Sequence, residues 1–145
     1  MNFPRDFKDF LQLLAAHCVD YAIVGGYAVA RHGLPRFTGD LDILIIPNPN
    51  NTARLLKALK EFGFGSLELT SEDFLQPARV VQLGVPPLRI DLMTSIDGVT
   101  NEEIFVNRVV DQDEEMTVCF IGYDQLLKNK KATGRAKDIA DLEQL

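Results

Sequence analysis

The sequence predicts an α/β (α+β) fold in a single domain, and three observations carry this prediction. Segments with helical periodicity alternate along the chain with short apolar runs typical of strands. The 145 residues suffice for one hydrophobic core, and 46% hydrophobic with 25% charged residues is the ordinary balance of a soluble globular protein. No repeat or long linker divides the chain. We therefore expect one domain over residues 1–145, with a helical tail over about 123–145.

The first half of the chain predicts three helices separated by two strands. The first helix is indicated by apolar residues at helical spacing: Phe3, Phe7, Phe10, Leu11 and Leu14. Residues 21–24 are typical of a short buried strand, which Gly25 and Gly26 end before a helix over residues 27–32. Residues 41–46 form the clearest strand, and the turn after them leads to a third helix that Asn51 or Thr52 is expected to cap.

The second half predicts a hairpin, a short helix, a late strand and two terminal helices. Strands over residues 79–83 and 88–93 are separated by Gly84, Val85, Pro86 and Pro87, a spacing that suits an antiparallel pair. Thr100 opens a short helix with the pattern of a capping box. Residues 111–115 are expected to form a solvated acidic turn before a strand over 116–121. The two helices of the tail break near Gly134.

Charge and composition exclude several classes of protein. The formal net charge of −6 and the pI of about 4.8 argue against general nucleic-acid binding, which needs a basic face. The longest apolar run, residues 43–46, is far short of a membrane span, and the start of the sequence lacks the pattern of a secretory signal. Cys18 and Cys119 exclude a disulfide framework or a cysteine-rich zinc site, and we expect both to be buried. We therefore expect a cytoplasmic protein without a membrane partner.

A pair of glycines follows the first strand. Because glycine has no side chain, Gly25 and Gly26 let the backbone turn tightly and let a phosphate approach it closely. Free backbone N–H groups at the start of the next helix would face that phosphate. A glycine turn without a ligand explains the same two residues, so the motif alone leaves both interpretations open.

Two aspartates open the clearest strand. The alternation of a strand puts Asp40 and Asp42 on one face, while Leu41 and Ile43 point to the core. Neighbouring carboxylates oppose each other's ionisation, and a Mg²⁺ ion, which prefers oxygen ligands, would remove that penalty. The alternative is a pair of solvated aspartates at the start of a strand.

Asp91 lies in the middle of a later strand, where a carboxylate needs a partner. Leu88, Ile90 and Leu92 mark the core face of that strand, and Arg89 shares the face of Asp91. One interpretation is therefore a structural ion pair between Arg89 and Asp91. The other is a third metal ligand that takes the proton from an attacking hydroxyl, in a site where metal ions clamp the attacking and leaving oxygens at phosphorus.

Together, the glycine pair, the D-x-D motif and the later aspartate resemble the nucleotidyltransferase superfamily, whose fold is shared with DNA polymerase beta. Residues 27–39, between Gly26 and the D-x-D motif, suit the interval found in that superfamily. Residues 24–33 and 35–42 and the tail over 126–142 are similar to small stand-alone members, including proteins related to the AbiEii toxins. The resemblance covers most of the chain.

The resemblance implies a nucleotidyltransferase fold: a mixed, twisted sheet flanked by helices, with the site at one edge. It implies that Asp40, Asp42 and Asp91 hold Mg²⁺ (or Mn²⁺) and that Gly25 and Gly26 face a triphosphate. The chain departs from the family in two respects. Many active members have a serine where this chain has Tyr27 after Gly26, and many carry an additional helical domain for the acceptor.

The resemblance also implies contacts to the nucleotide from a loop and from the tail. Arg36 and Thr38 precede the D-x-D motif on the loop that would lie beside the nucleotide. Five basic residues fall within ten positions of the tail: Lys128, Lys130, Lys131, Arg135 and Lys137. We expect Lys130 to neutralise triphosphate charge if the tail folds back on the sheet. A surface-loop arginine and a solvated helix face are the alternatives.

The function expected from these residues is that of a Mg²⁺-dependent nucleotidyltransferase. It would move a nucleoside monophosphate from a nucleoside triphosphate such as ATP to an acceptor hydroxyl, which Asp91 activates. The acceptor is a protein, a tRNA or a small molecule. The alternative is a catalytically weak or inactive nucleotide-binding module that acts through a protein partner, as in a toxin–antitoxin pair, which the Gly-Gly-Tyr variant and the small size motivate.

Overall fold

The computed structural model describes residues 1–65, 68–85, 88–113 and 116–145. Its sheet contains six strands: β1 (Tyr21–Val24), β2 (Asp40–Ile45), β3 (Val80–Val85), β4 (Leu88–Met93), β5 (Val109–Asp113) and β6 (Met116–Phe120). Its α-helices are α1 (Arg5–Ala16), α2 (Gly25–Arg31), α3 (Pro49–Leu59), α4 (Asn101–Val106), α5 (Tyr123–Thr133) and α6 (Ala136–Gln144). A π-helical turn extends α3, and a 3₁₀ turn precedes β3. None of the helices in the described ranges has the length and apolar character needed to cross a membrane.

The strands form one mixed sheet in the order β3-β4-β2-β1-β6-β5. β2 and β4 are parallel, as are β1 and β6, while the remaining neighbours are antiparallel. The predicted α/β class is therefore confirmed, and so is the antiparallel pairing of the two strands around residues 84–87. Pro86 and Pro87 of that predicted turn lie outside the described residues.

The core faces of the central strands follow the predicted alternation. Leu41, Ile43 and Ile45 of β2 are fully buried, and Ile90 and Leu92 of β4 are nearly so. The prediction is wrong for Leu88, which is 40% exposed at the start of β4. The apolar stripe of α1 completes this layer: Phe7, Phe10, Leu11 and Leu14. Burying this apolar surface contributes the main favourable free energy of folding. Asp40 and Asp42 lie on the opposite face of β2, which is buried again only at Leu44.

The helix after β2 is capped by a residue other than the one predicted. Asn48 is the N-cap of α3, and its Oδ1 accepts a hydrogen bond from the backbone N–H of Asn51 at 2.8 Å. Pro49 explains the difference, because its fixed φ and missing N–H suit the first position of a helix. The side chain of Asn51 is instead fully buried, where Nδ2 donates to the carbonyl oxygens of Asp20 and Ile46 at 2.8 Å each.

The predicted acidic turn is wrong for residues 111–113, which belong to β5. Antiparallel pairing with β6 provides the backbone partners of this segment, and Asp111 accepts a bidentate hydrogen bond from Arg31 of α2. Glu114 and Glu115 lie outside the described residues. The expected burial of Cys18 is also wrong: Cys18 is exposed in the left-handed turn after α1, where its φ is 55°.

The tail folds as predicted, with α5 and α6 separated by Gly134. Gly134 adopts a φ of 61°, a left-handed conformation that glycine accepts without strain, and it ends α5. The chain can therefore reverse and bring α6 against α5. This reversal positions the tail beside the ends of β2 and β4.

We predict different costs for removing the two asparagines at the start of α3. Asn48→Ala removes one helix cap and should lower the free energy of unfolding by about 1 kcal/mol. Asn51→Ala should cost about 3 kcal/mol, because it removes three hydrogen bonds of a fully buried side chain and leaves the backbone N–H of Asp20 without its acceptor. Urea denaturation followed by circular dichroism measures both values, and equal losses would contradict the buried role of Asn51.

Candidate active site

The register between β2 and β4 brings together acidic residues that are distant in the sequence. Asp42 pairs directly with Asp91, and Asp40 pairs with Arg89, in a parallel arrangement. Paired positions of adjacent strands point their side chains to the same face of a sheet. The expected meeting of the D-x-D motif with the later aspartate is thus present in the structure.

The acidic residues line a cavity of about 630 Å³ that contains most of the predicted site. All the predicted site residues except Thr38 line it: Gly25, Gly26, Arg36, Asp40, Asp42, Asp91 and Lys130. The loop after β4 adds Ser95, Ile96 and Asp97, and α5 adds Asn129 and Thr133. No local motif marks these loop and helix residues, so the sequence did not predict them as part of the site.

A second cavity of about 500 Å³ adjoins the first. Thr38 lines only this smaller cavity, together with the fully exposed Phe37. The two cavities share one wall, which consists of Gly26, Arg36, Asp40, Asp42 and Lys137. The D-x-D motif therefore stands between two openings, while Asp91 lines only the larger one.

Arg89 holds two of the carboxylates. Its Nη2 lies 3.1 Å from Oδ2 of Asp40 and 3.1 Å from Oδ2 of Asp91. Its Nε lies 2.9 Å from Oδ1 of Asp91, although the two groups are not aligned for a hydrogen bond. The ion pair that the sequence offered as one interpretation of Asp91 is therefore present. The contact to Asp40 was missed because it depends on the register of β2 against β4.

Asp42 is the carboxylate whose ionisation the site opposes most clearly. Burial, together with the charges of Asp91 and Asp40, raises the pKa of Asp42 to about 6, while Arg89 partly compensates. A carboxyl group with a raised pKa in a cleft is a feature of functional sites. The opposition to ionisation that the sequence predicted for the D-x-D motif is thus present at its second aspartate, Asp42.

The glycine pair has a packing role beside these carboxylates. Gly25 has a φ of 68°, and a Cβ atom at this position would collide with the carboxylate of Asp42. A Cβ atom on Gly26 would lie 3.1 Å from Oγ1 of Thr38, a tight contact. Glycine at position 25 therefore lets β2 bring Asp42 close to the start of α2. This contact with Asp42 is a third reason for glycine, beside the tight turn and the approach of a phosphate that the sequence suggested.

Lys130 lines the larger cavity but is already paired. Its Nζ lies 2.8 Å from Oδ2 of Asp141 and 3.2 Å from Oδ1 of Asp138, and only 6% of its side chain is exposed. The solvated helix face considered for the tail is therefore wrong for this residue. Burial opposes the charge of Asp138, but hydrogen bonds from Arg135, Thr133 and Lys130 outweigh it and hold the pKa of Asp138 well below its usual value.

Arg36 connects the loop before β2 to the tail. Its Nη2 donates to Oδ1 of Asp141, which also faces Lys130. The side chain of Asp141 is only 7% exposed, so this ion pair is largely shielded from water. Arg36 thus lines both cavities as a residue that also fixes α6 against the site.

The acidic residues offer the ligand chemistry of Mg²⁺, although they do not converge on one point. In the part of the chain that the structure describes, no three His, Cys, Asp or Glu side chains form a metal-binding group. Arg89 accounts for this spacing, because it draws Asp40 and Asp91 to itself. The donor set still fits the ion: Oδ1 of Asp91 is buried without a hydrogen-bond donor, and every candidate ligand atom is a carboxylate oxygen.

Comparison with known proteins identifies the fold. No protein-family model matches the chain, and no curated protein matches it either. Among solved structures, the chain is similar to TM1012 of Thermotoga maritima, described as a candidate nucleotidyltransferase, with a TM-score of 0.65 and 13% identity over 97% of this chain and 89% of that one. It is also similar to JHP933 of Helicobacter pylori, with a TM-score of 0.48 and 16% identity over 97% of this chain and 63% of that one. The first similarity establishes the nucleotidyltransferase fold predicted from the sequence.

We predict that the ionisation of Asp42 lowers the free energy of unfolding as the pH rises. Its proton is held more tightly in the folded state, with a pKa of about 6, than in the unfolded state, where the pKa is 3.8. The free energy of unfolding should therefore fall between pH 4 and pH 6, and the cost should be complete above pH 6. In metal-free buffer, Asp42→Asn should be more stable than the wild type by about 2 to 3 kcal/mol at pH 8 and nearly equal to it at pH 4.

Urea denaturation with a chelator at both pH values measures this difference. The exposed Asp9 of α1 provides the control, since Asp9→Asn makes the same chemical change outside both cavities. A stability difference for Asp42→Asn that does not grow with pH would show that Asp42 titrates normally.

A second prediction concerns the space that Gly25 leaves for Asp42. Gly25→Ala should push the carboxylate towards solvent, so that its pKa falls from about 6 towards the ordinary value. Gly134→Ala is the matched control, because Gly134 has a similar φ of 61° and the methyl carbon of an alanine there would lie no closer than 3.8 Å to a neighbouring atom. Carboxyl-carbon NMR titration measures the pKa, and an unchanged value in Gly25→Ala would exclude the contact.

Proposed function

We propose that this protein is a nucleotidyltransferase that uses Mg²⁺, or Mn²⁺, to transfer a nucleoside monophosphate from a nucleoside triphosphate to an acceptor hydroxyl. The single observation that carries the proposal is the pairing of Asp42 with Asp91 across β2 and β4, with Asp40 on the same face. Carboxylates grouped in this way can hold the metal ions that clamp the attacking and leaving oxygens at phosphorus. The nucleotidyltransferase fold supports the same activity.

Each aspartate has a role that follows from its position. Asp40 and Asp42, on the wall shared by the two cavities, are the residues that would hold the cation, together with Asp91. The bound ion would stabilise the negative charge that develops on the phosphoryl oxygens. Asp91 would also accept the proton of the acceptor hydroxyl, because among the three grouped aspartates it alone lines only the larger cavity, where an acceptor has room.

The charge around the larger cavity supports an anionic substrate. Five cationic side chains line it, Arg36, Arg89, Lys130, Arg135 and Lys137, against four acidic ones, Asp40, Asp42, Asp91 and Asp97. This local balance contrasts with the net charge of −6 for the whole chain. A cation bound to the acids would leave a positive surface, and such a surface attracts a triphosphate.

The remaining elements of the proposal concern substrates and setting. The cavity of about 630 Å³ has the size of a site for a small ligand, which suits a nucleotide. The acceptor is a protein, a tRNA or a small molecule, and its identity is left to experiment. The kinship with AbiEii-related proteins and a cytoplasmic location stay predictions of the sequence.

Incubation with α-³²P-labelled nucleoside triphosphates, Mg²⁺ and cell extract tests the activity. We expect label to move to an acceptor in the extract with the wild-type protein. Asp91→Asn and Asp42→Asn should each lower the rate at least about a hundredfold, because each removes a group that acts on the reacting atoms. Asp9→Asn should keep the wild-type rate.

Absence of transfer with all four ribonucleotides in both Mg²⁺ and Mn²⁺ would refute the enzyme. Equal transfer by Asp42→Asn and the wild type would refute the site. Stable co-purification with a protein partner, unchanged in Asp42→Asn and without any label transfer, would favour the binding module instead.

A further inference from the structure

Lys137 differs from the other cationic side chains around the cavities. Each of the others is in an ion pair: Arg36 with Asp141, Arg89 with Asp40 and Asp91, Lys130 with Asp138 and Asp141, and Arg135 with Asp138. Lys137 is exposed and lines both cavities. Over residues 1–65, 68–85, 88–113 and 116–145, no hydrogen bond or ion pair engages its ammonium group. Its charge is therefore available to a ligand.

The paired cations are less available because of what they hold. An anion that drew Lys130 or Arg36 to itself would remove one of the two cations that neutralise Asp141, and drawing Lys130 would also remove one of the two that neutralise Asp138. Both aspartates are buried, and removing a partner from a buried ion pair is destabilising. Lys137 would exchange only water for the anion, since its ammonium group is already in solvent. The tail therefore separates two tasks: Lys130 fixes α6, and Lys137 faces the site.

The two cavities also differ in a way that orients the proposed reaction. Asp91 lines only the larger cavity, whereas Lys137 lies on the wall shared with the smaller one. In an in-line displacement, the attacking and leaving oxygens are on opposite sides of the phosphorus. If the acceptor hydroxyl enters beside Asp91, the leaving group departs on the side of the smaller cavity. Thr38 and Lys137 line that side.

We infer that Lys137 binds the β- and γ-phosphates of the nucleoside triphosphate and that pyrophosphate leaves through the smaller cavity. This inference rests on the proposed function. In the step it describes, the acceptor oxygen forms a bond to the α-phosphorus while its proton passes to Asp91. The bond from the α-phosphorus to the oxygen bridging to the β-phosphorus breaks, and pyrophosphate leaves with that electron pair. Lys137 balances the charge that develops on it.

Isothermal titration of Lys137→Gln with three probes in Mg²⁺ tests this assignment. The probes are inorganic triphosphate, inorganic pyrophosphate and AMP. Binding of triphosphate and pyrophosphate should weaken by about tenfold or more, as expected for the loss of a charge-assisted contact, while AMP binding should change by less than about threefold. Lys137→Arg should restore pyrophosphate binding. Lys131→Gln is the matched control, since Lys131 is exposed on the same tail but lines neither cavity.

Each outcome decides something. Wild-type affinity for pyrophosphate in Lys137→Gln would overturn the inference, and so would an equal weakening of AMP, which would place Lys137 at the α-phosphate. If Lys131→Gln weakened pyrophosphate binding equally, the cause would be the overall charge of the tail and not a contact made by Lys137. If the wild type binds no triphosphate and transfers no label, the proposed function fails together with the inference. If label transfer depends on Asp91 but pyrophosphate binding ignores Lys137, only the inference fails.

Discussion

The parallel hydrogen bonding of β2 to β4 is the constraint on which the candidate site depends. Register in a sheet is set by the side chains that must be buried, because a slip by one residue would turn every side chain to the other face. Here the buried faces are Leu41 and Ile43 on β2 and Ile90 and Leu92 on β4. Burial of these residues keeps Asp42 and Asp91 together on the opposite face, and the observed register places them side by side. The core thus determines the geometry of the acids without touching them.

Grouping Asp40, Asp42 and Asp91 on one face of the sheet costs electrostatic free energy, a cost that the rest of the sheet does not carry. Asp42 is partly buried beside two other carboxylates, which raises its pKa, and Arg89 compensates by binding Asp40 and Asp91. Because position 25 is a glycine without a side chain, Asp42 can approach the start of α2. A structure selected for stability alone would place apolar or solvated residues at these positions. Their grouping around one cavity is the basis of the cation site that we propose.

The tail is anchored to this face through charges. The buried residues of α6 are Asp138 and Asp141, and its Ile139 is 51% exposed. Lys130 of α5 and Arg36 of the loop before β2 neutralise these two aspartates. Because a buried polar network makes the surrounding structure more rigid, these ion pairs fix the orientation of α6. The helix consequently closes one side of both cavities and presents Lys137 to them.

Local patterns were sufficient for the elements and for the identity of the acids. Alternation along residues 40–45 and 89–93 predicted the core faces of Leu41, Ile43, Ile90 and Leu92, although not the exposure of Leu88, and Gly134 predicted the break in the tail. Predictions failed where the local sequence was compatible with two structures and a contact with residues distant in the sequence determined which one forms. Asn51 was expected to cap α3 but is held by the backbone of Asp20, and the segment around Asp111 became a strand because β6 pairs with it. The exposure of Cys18 follows from the turn after α1.

The amino-acid sequence by itself determined the class of fold, the strand faces and the three aspartates, because these depend on residue types at short, regular spacings. Only the tertiary structure decided which cations are free. Lys130 and Lys137 lie in one basic run and are equivalent as sequence, but Lys130 is enclosed by Asp138 and Asp141 while Lys137 stands in solvent between the two cavities. The availability of a charge depends on the distances to every other charge, and those distances exist only once the chain has folded.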